Sequence, residues 1–187
     1  MKTLLSFKKP ADLETECLVA VVLDHGEKEK PAAKVAGDAA IAAAAADAIR
    51  SGEMTGKAFE SVLLHRPQGL KAKRLLLLGG GPAKDFSAYE LRLLAGAAAR
   101  ALKPKSIRGF AFAAPKIAGG PNAAVRAIVE GAFVGNFDPD TYKSDRKDQS
   151  IAAVTVVAPA GSNPKTAGRA LEEARILGES QTFTASW

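Results

Sequence analysis

The chain has 187 residues, a formal net charge of +6, 47% hydrophobic residues and 25% charged residues. This balance excludes an intrinsically disordered protein, and the length suits one domain with or without a short extension. No apolar run approaches the roughly 20 residues that a membrane span needs, and the first nine residues are too short and too soon charged for a signal sequence. We therefore expect a cytoplasmic protein with no membrane partner.

The first elements along the chain are two strands, Thr3 to Phe7 and Leu18 to Leu23, which we expect to pair with each other. A helix over Val35 to Arg50 follows, because its alanine run has the highest helix propensity available. The next apolar segment, Ser61 to Leu64, predicts a third strand. Strands and a helix thus alternate early in the chain.

The strongest strand signal is the run from Arg74 to Leu78. Its four consecutive leucines predict a strand that is buried on both faces and therefore lies in the middle of a sheet. The segment Gly79 to Gly81 is interpreted as the turn by which the chain leaves that sheet. Ser87, three residues before Glu90, predicts a capping box at the start of a helix that reaches Leu102.

The second half of the chain continues the alternation of strands and helices. The predicted elements are a strand from Ser106 to Ala113, a helix from Ala123 to Val134, a strand from Ile151 to Val157 and a helix from Pro164 to Ser180. This order predicts an α/β fold, a three-layer sandwich with helices on both faces of a mixed, mostly parallel sheet. No internal repeat divides the chain, so we expect a single domain over residues 1–187.

The residue types that bind metals or act as nucleophiles are scarce. His25, His65 and Cys17 are the only imidazole and thiol side chains, and none lies at helical spacing from another. Cys17 is interpreted as a small buried side chain. The acidic turn at residues 138–140 lacks the glycine and ligand alternation of a calcium loop. We therefore predict no catalytic residue, no metal site and no cofactor in this chain.

Two glycine-rich segments, at residues 79–81 and 119–120, have the composition of anion-binding turns, because backbone N–H groups at a helix N-terminus attract anions. Neither matches the dinucleotide fingerprint or the phosphate loop, so a turn at a strand end is the simpler interpretation. An acidic side chain at the end of the second strand is placed where it would face a ribose or an adenine amine. The candidate ligand-binding residues are Asp24, Gly79, Gly80, Gly81, Gly119 and Gly120.

Four segments of the chain, at residues 50–57, 74–81, 130–144 and 172–181, have a distinctive composition and order. Together they resemble the N-terminal domain of the leucyl aminopeptidase (cytosol aminopeptidase) family. The most specific segment is 130–144, which is similar to that family's helix end followed by a Phe-Asp and Tyr-Lys-Ser pattern. The last segment resembles the connector into the catalytic domain, so residues 163–187 are expected to form the final helix and the start of that connector.

The resemblance implies a macro-domain-like fold and a chain that is not an enzyme on its own. In that family the two divalent metals, the catalytic lysine and the bicarbonate-holding arginine belong to a C-terminal domain, and its Asn-Thr-Asp-Ala-Glu-Gly-Arg segment does not occur in this sequence. The implied role is assembly or partner docking, with an aminopeptidase catalytic domain or a homo-oligomer as the partner.

Two alternatives stay open beside this reading. One is a stand-alone macro-like module that binds an ADP-ribose-like or phosphorylated ligand at the glycine-rich segments. The other is a contact with DNA that does not depend on base sequence, as the resemblance implies because some proteins of the family have a DNA-binding role. Such binding would weaken steeply with added salt. Lysine and arginine are scattered among acids rather than grouped on a basic helix with stacking aromatics, so nucleic acid is the less expected partner.

Overall fold

A computed structural model describes residues 1–137 and 149–185, which form a mixed sheet with helices on both faces. The strands are β1 Lys2–Ser6, β2 Leu18–Asp24, β3 Ala33–Val35, β4 Ser61–His65, β5 Arg74–Pro82, β6 Gly109–Ala113 and β7 Ala153–Val157. The helices are α1 Ala39–Arg50, α2 Ala88–Leu102, α3 Pro121–Asn136 and α4 Pro164–Ala185. The acidic turn expected at residues 138–140 lies outside the described residues.

The strand order across the sheet is β1-β7-β6-β2-β5-β4, and the short β3 pairs with the end of β2. β1, β7, β6, β2 and β5 run parallel, whereas β4 and β3 are antiparallel to their neighbours. The expected α/β architecture with a mostly parallel sheet is therefore confirmed.

The prediction that the first two strands pair is wrong, because β1 lies at the sheet edge beside β7 and β2 lies in the middle. Lys2 is paired with Ala153 in this register, and β1 mixes exposed and half-buried positions. In β2, by contrast, Leu18 to Val22 are all buried. A strand such as β2, which is apolar on both faces, is most stable in the middle of a sheet that is covered on both faces. This preference decides the strand order more strongly than closeness of β1 and β2 along the chain.

The first helix begins later than predicted. The predicted helix from Val35 begins only at Ala39, because residues 33–35 pair with β2 as β3. The Asp38 carboxylate then accepts hydrogen bonds from the N–H groups of Ala40 and Ile41, at 2.8 and 3.1 Å. This cap fixes the start of α1.

Two later strands begin after the predicted residue. β6 starts at Gly109 rather than Ser106, because Ser106 has a left-handed backbone with φ 60°. β7 starts at Ala153 rather than Ile151, whose backbone N–H and carbonyl both bond to the side-chain amide of Asn136. That amide ties the end of α3 to the chain entering β7.

The capping box predicted for α2 is confirmed. The Ser87 side chain accepts from the N–H of Tyr89, and the Glu90 carboxylate accepts from the N–H of Ser87 at 3.0 Å. The hydrogen bond from the Ser87 hydroxyl holds the pKa of the Glu90 carboxyl below its usual value. The box satisfies N–H groups that the helix itself leaves without partners.

The sheet separates two apolar clusters. On one face α1 presents Ile41, Ala45 and Ala48 to β2 and β5. On the other face α2, α3 and α4 cover the sheet, and their buried side chains join residues such as Phe110, Phe112 and Val154. The three layers expected from the sequence are therefore present. Among the described helices, none is both long and apolar enough to cross a membrane.

The helices on the second face approach each other at glycines. A Cβ added to Gly131 of α3 would lie 2.1 Å from the carbonyl oxygen of Arg92 in α2, and one added to Gly135 would lie 2.2 Å from that of Gly96. Between α3 and α4, a Cβ on Gly178 would lie 2.5 Å from the ring of Phe133. Any larger side chain at these positions would force the helices apart.

Replacing Gly131 by alanine is expected to lower the free energy of unfolding by about 2 kcal/mol, since the new methyl group overlaps the backbone of α2. The matched control is Gly168→Ala in α4, where an added Cβ meets no atom within 4 Å. That control is expected to be neutral, or more stable by up to about 1 kcal/mol because alanine favours a helix. Urea unfolding of both variants measures the difference, and a Gly131→Ala protein as stable as its parent would contradict the close contact.

Candidate functional site

The carboxyl edge of the parallel strands carries all of the candidate ligand-binding residues. β2 ends at Asp24, β5 ends in the glycine segment, and the chain leaving β6 leads to Gly119 and Gly120 at the start of α3. In open α/β sheets ligands bind outside this edge. The topology thus places the residues on one side of the sheet, although it gives them different local roles.

The three glycines after the leucine run do not form a turn, which corrects the interpretation drawn from the sequence. Gly79, Gly80 and Gly81 lie inside β5, which continues to Pro82. The N–H of Gly79 donates to the carbonyl of Glu60 at 2.7 Å, and the N–H of Gly81 donates to that of Gly56 at 2.8 Å. These two donors are therefore engaged by the segment at residues 56–60.

That segment lies so close to β5 that only glycine fits beneath it. A Cβ on Gly79 would stand 1.9 Å from the carbonyl oxygen of Lys57. Gly80 faces the opposite side, where a Cβ would come within 3.0 Å of side-chain atoms of Leu23 and Phe86. Gly79 therefore lets the backbone of residues 56–60 cross one face of β5. Gly80 lets side chains pack tightly against the other face.

Asp24 is held in a local turn at the end of β2. Its carboxylate oxygen Oδ1 accepts from the N–H of Gly26 at 2.9 Å, and the side chain is half-buried. Gly56 passes directly beside it, since a Cβ there would lie 2.9 Å from the backbone nitrogen of Asp24. Asp24 therefore shapes the loop after β2 and stands beside the crossing segment at residues 56–60.

Gly119 and Gly120 form a turn of a different kind, with φ values of 98° and 87° in the region that favours glycine. Gly120 is the N-cap of α3, no side chain caps the helix, and Pro121 has no N–H to offer. The first-turn N–H groups of α3 consequently have no capping side chain. The N-terminus of a helix favours an anion in this position.

One exposed aromatic residue of this edge was not singled out from the sequence. Phe59 has φ 66°, its side chain is 56% exposed, and its N–H donates to the carbonyl of Gly79 at 2.9 Å. A left-handed conformation costs a bulky residue roughly 1–2 kcal/mol. The hydrogen bond to Gly79 joins Phe59 to a residue twenty positions away in the chain, so no local sequence signal indicates this conformation.

The remaining chemically reactive residues are dispersed. Cys17 is fully buried, as predicted, and burial raises the pKa of its thiol to about 12, so it is not a nucleophile near neutral pH. His25 follows β2, whereas His65 ends the antiparallel β4 at the opposite edge. Among residues 1–137 and 149–185, no three His, Cys, Asp or Glu side chains are grouped so that they could hold a metal ion.

Comparison with known proteins resolves the family. Residues 19–146 match the profile of the cytosol aminopeptidase family, N-terminal domain. The chain belongs to that family. A probable cytosol aminopeptidase from Koribacter versatilis is 44% identical over 202 aligned positions, which cover 98% of this chain and 39% of the relative. One from Acidobacterium capsulatum is 39% identical, covering 98% of this chain and 38% of the relative.

Two solved structures superpose on the observed architecture. A mutant of tomato leucine aminopeptidase superposes with a TM-score of 0.69 at 19% identity, covering 96% of this chain and 36% of the other. The bottromycin maturation enzyme BotP in complex with Mn superposes with a TM-score of 0.60 at 21% identity. At these identities the likeness concerns the fold alone. The chain spans about two fifths of the length of the relatives named above, and the family resemblance seen in the sequence is confirmed.

Gly79→Ala is expected to lower the free energy of unfolding by about 2 kcal/mol, because the added methyl group displaces the carbonyl of Lys57. Gly109→Ala in β6 is the matched control, since a Cβ there lies at an ordinary 3.7 Å from the nearest atom. Urea unfolding of the two variants tests the crossing. Equal stability of the two variants would show that residues 56–60 do not lie against β5 in this way.

Proposed function

We propose that this chain is the non-catalytic N-terminal domain of a leucyl aminopeptidase-type metallopeptidase, acting in assembly or in docking to the catalytic part. The observation that carries the proposal is the pattern of coverage. The relatives match nearly all of this chain, while the chain matches only 39% and 38% of two of them. In this proposal the two divalent metals belong to the remaining part, and the protein works in the cytoplasm.

The way the chain uses its polar groups supports a scaffold role. The Glu16 carboxylate accepts from the backbone N–H groups of Arg108 and Gly109, at 2.8 and 3.1 Å, while its carbonyl accepts from the Arg74 guanidinium at 3.1 Å. This acid thus joins the starts of β2, β5 and β6. Hydrogen bonds to a charged carboxylate are among the stronger ones in proteins, so Glu16 holds these strand ends together.

The domain boundaries follow from the same proposal. Residues 1–187 constitute the N-terminal domain, and residues 163–187 hold the final helix and the start of the connector to the catalytic part. α4, at Pro164–Ala185, is the last element of the described chain and packs along α3 and β1.

The purified chain, supplied with Mn²⁺ or Zn²⁺, is expected to release no leucine from a leucyl amide. The full-length aminopeptidase from Koribacter versatilis, assayed in parallel, serves as the positive control. Metal-dependent hydrolysis by the purified chain, increasing in proportion to its concentration, would contradict the proposed lack of activity.

A second candidate function is a macro-like module that binds an ADP-ribose-like or phosphorylated ligand. The observation in its favour is the uncapped start of α3 behind Gly119 and Gly120, at the same edge as Asp24. Gly79, Gly80 and Gly81 would contribute through their shape, since the N–H groups of Gly79 and Gly81 already have backbone partners.

If the chain is such a module, ADP-ribose at millimolar concentration is expected to raise the melting temperature of the purified chain. The Gly120→Val variant is expected to show no such rise. Gly69→Val is the matched control, because Gly69 has φ 82° against 87° for Gly120 and both positions are open to a Cβ. The two variants therefore carry a similar backbone strain, and only the control should keep its response to the ligand. No rise in the parent protein would eliminate this candidate.

A further inference from the structure

β4 lies at one edge of the sheet, so one side of its backbone has no strand beside it. Among residues 1–137 and 149–185, β5 is the only strand that pairs with β4. A strand at a sheet edge presents backbone N–H and carbonyl groups with which another extended segment can pair. The open side of β4 therefore offers hydrogen-bonding groups to a further strand.

Hydrogen bonds at both ends of β4 show which of its residues face β5. The Glu60 carbonyl accepts from the N–H of Gly79 at 2.7 Å, and the Arg66 N–H donates to the carbonyl of Lys73 at 2.9 Å. In an antiparallel pair, alternate residues bond to the neighbouring strand and the residues between them do not. Even-numbered residues of β4 therefore bond to β5. The residues whose backbone groups face the open side are Ser61, Leu63 and His65.

The side chains of β4 are covered less completely than those of β5. Val62, Leu63 and Leu64 are half-buried, whereas the four leucines at residues 75–78 are buried. Proteins commonly protect a sheet edge with lysine, proline or a bulge. β4 contains neither lysine nor proline, and its register with β5 is unbroken along the whole strand. An added strand would therefore meet an unprotected edge and cover apolar side chains.

Residues of opposite charge flank β4. Glu60 precedes the strand and is half-buried, and Arg66 follows it and is exposed. When two copies of β4 pair antiparallel about a two-fold axis at Leu63, Glu60 of each copy lies opposite Arg66 of the other. Opposite charges across a strand pair stabilise it, and like charges destabilise it. Parallel pairing in register would instead place each charge beside its own kind, so the charges favour an antiparallel second copy.

The same two-fold alignment engages every backbone group on the open side of β4. Leu63 lies opposite Leu63 and Ser61 lies opposite His65, so the paired residues exchange about six hydrogen bonds. A shift of the alignment in either direction would leave an outward-facing residue of each copy without a partner. Val62 and Leu64 lie opposite each other, which brings half-buried apolar side chains together. A contact in which one surface serves both copies is the geometry of two-fold dimers.

The other edge of the sheet, at β1, lacks this complementarity. The N–H of Lys2 and the carbonyl of Ser6 bond to the backbone at the two ends of β7, so the N–H of Thr3 faces the open side. The charged residues on β1 and directly after it are Lys2, Lys8 and Lys9. All of them carry the same sign, so two copies of β1 have no opposite charges to bring together.

We propose that β4 binds β4 of a second copy of this chain, antiparallel and about a two-fold axis, so that the two sheets continue into one. The inference does not depend on the proposed function, because two copies of this chain are enough to form the contact. A strand pair of this length buries less surface than the roughly 1,200–2,000 Å² of a stable interface. The purified chain is therefore expected to exchange between monomer and dimer at micromolar to millimolar concentrations.

Sedimentation equilibrium of the purified chain over these concentrations tests the contact. Ser61→Pro removes an N–H on the open side of β4, and proline is tolerated at an edge position of this kind. The matched control is Thr3→Pro, which removes an N–H on the open side of β1. Ser61→Pro is expected to weaken dimerisation about tenfold or more, since the symmetry deletes the hydrogen bond twice. Thr3→Pro is expected to leave dimerisation unchanged, and melting temperatures show whether both variants stay folded.

A second pair of variants tests the alignment without proline. Glu60→Arg and Arg66→Glu should each weaken dimerisation, because like charges then meet at both ends of the contact. An equimolar mixture of the two variants should associate again, since one carries only basic and the other only acidic residues at these two positions. Added salt should reduce both effects.

A chain that stays monomeric at every concentration would overturn the proposal, and so would a dimer that neither Ser61→Pro nor the charge variants weaken. Weakening by Thr3→Pro alone would assign the contact to β1 instead. A mixture of the charge variants that stays dissociated would overturn the two-fold alignment at Leu63. A monomeric chain that binds an added synthetic peptide of residues 59–67 would overturn the second copy and leave the edge to a strand of another protein. The leucyl amide assay measures the proposed lack of activity separately from all of these results.

Discussion

The structure depends on the close approach of backbones at glycine. In the helical layer Gly131 and Gly135 let α3 lie against the carbonyl oxygens of α2, and in the sheet Gly79 lets residues 56–60 cross β5. These contacts connect elements that are far apart in the sequence. Closely packed interiors deform little. The glycines at these contacts therefore determine where α3, α4 and residues 56–60 can lie.

This constraint separates two uses of glycine that look alike in a sequence. The N–H groups of Gly79 and Gly81 donate to backbone carbonyls, so these glycines act in packing. Gly120, by contrast, begins α3 without any capping side chain, and both it and Gly119 have positive φ. The two glycine segments therefore differ in what they leave available to a ligand, even though both lie at the carboxyl edge of the sheet.

Much of the fold could be predicted where the signal is local. The leucines of β5 are buried on both faces, and Ser87 with Glu90 forms the predicted capping box. The family, too, could be predicted from the order of four short segments. The neighbours of β1, by contrast, depend on which strands are buried on both faces of the sheet. The role of Gly79 depends on residues 56–60, some twenty positions earlier in the chain. Local patterns carry neither kind of information, and the conformation of Phe59 was missed for the same reason.

The proposed function makes this chain the N-terminal part of a larger aminopeptidase. The most direct measurement is to sequence the gene downstream of the codon for Trp187. If the proposed function is right, the reading frame continues into a catalytic domain that carries the metal ligands. An in-frame stop codon at that point would contradict it and would favour an independent module.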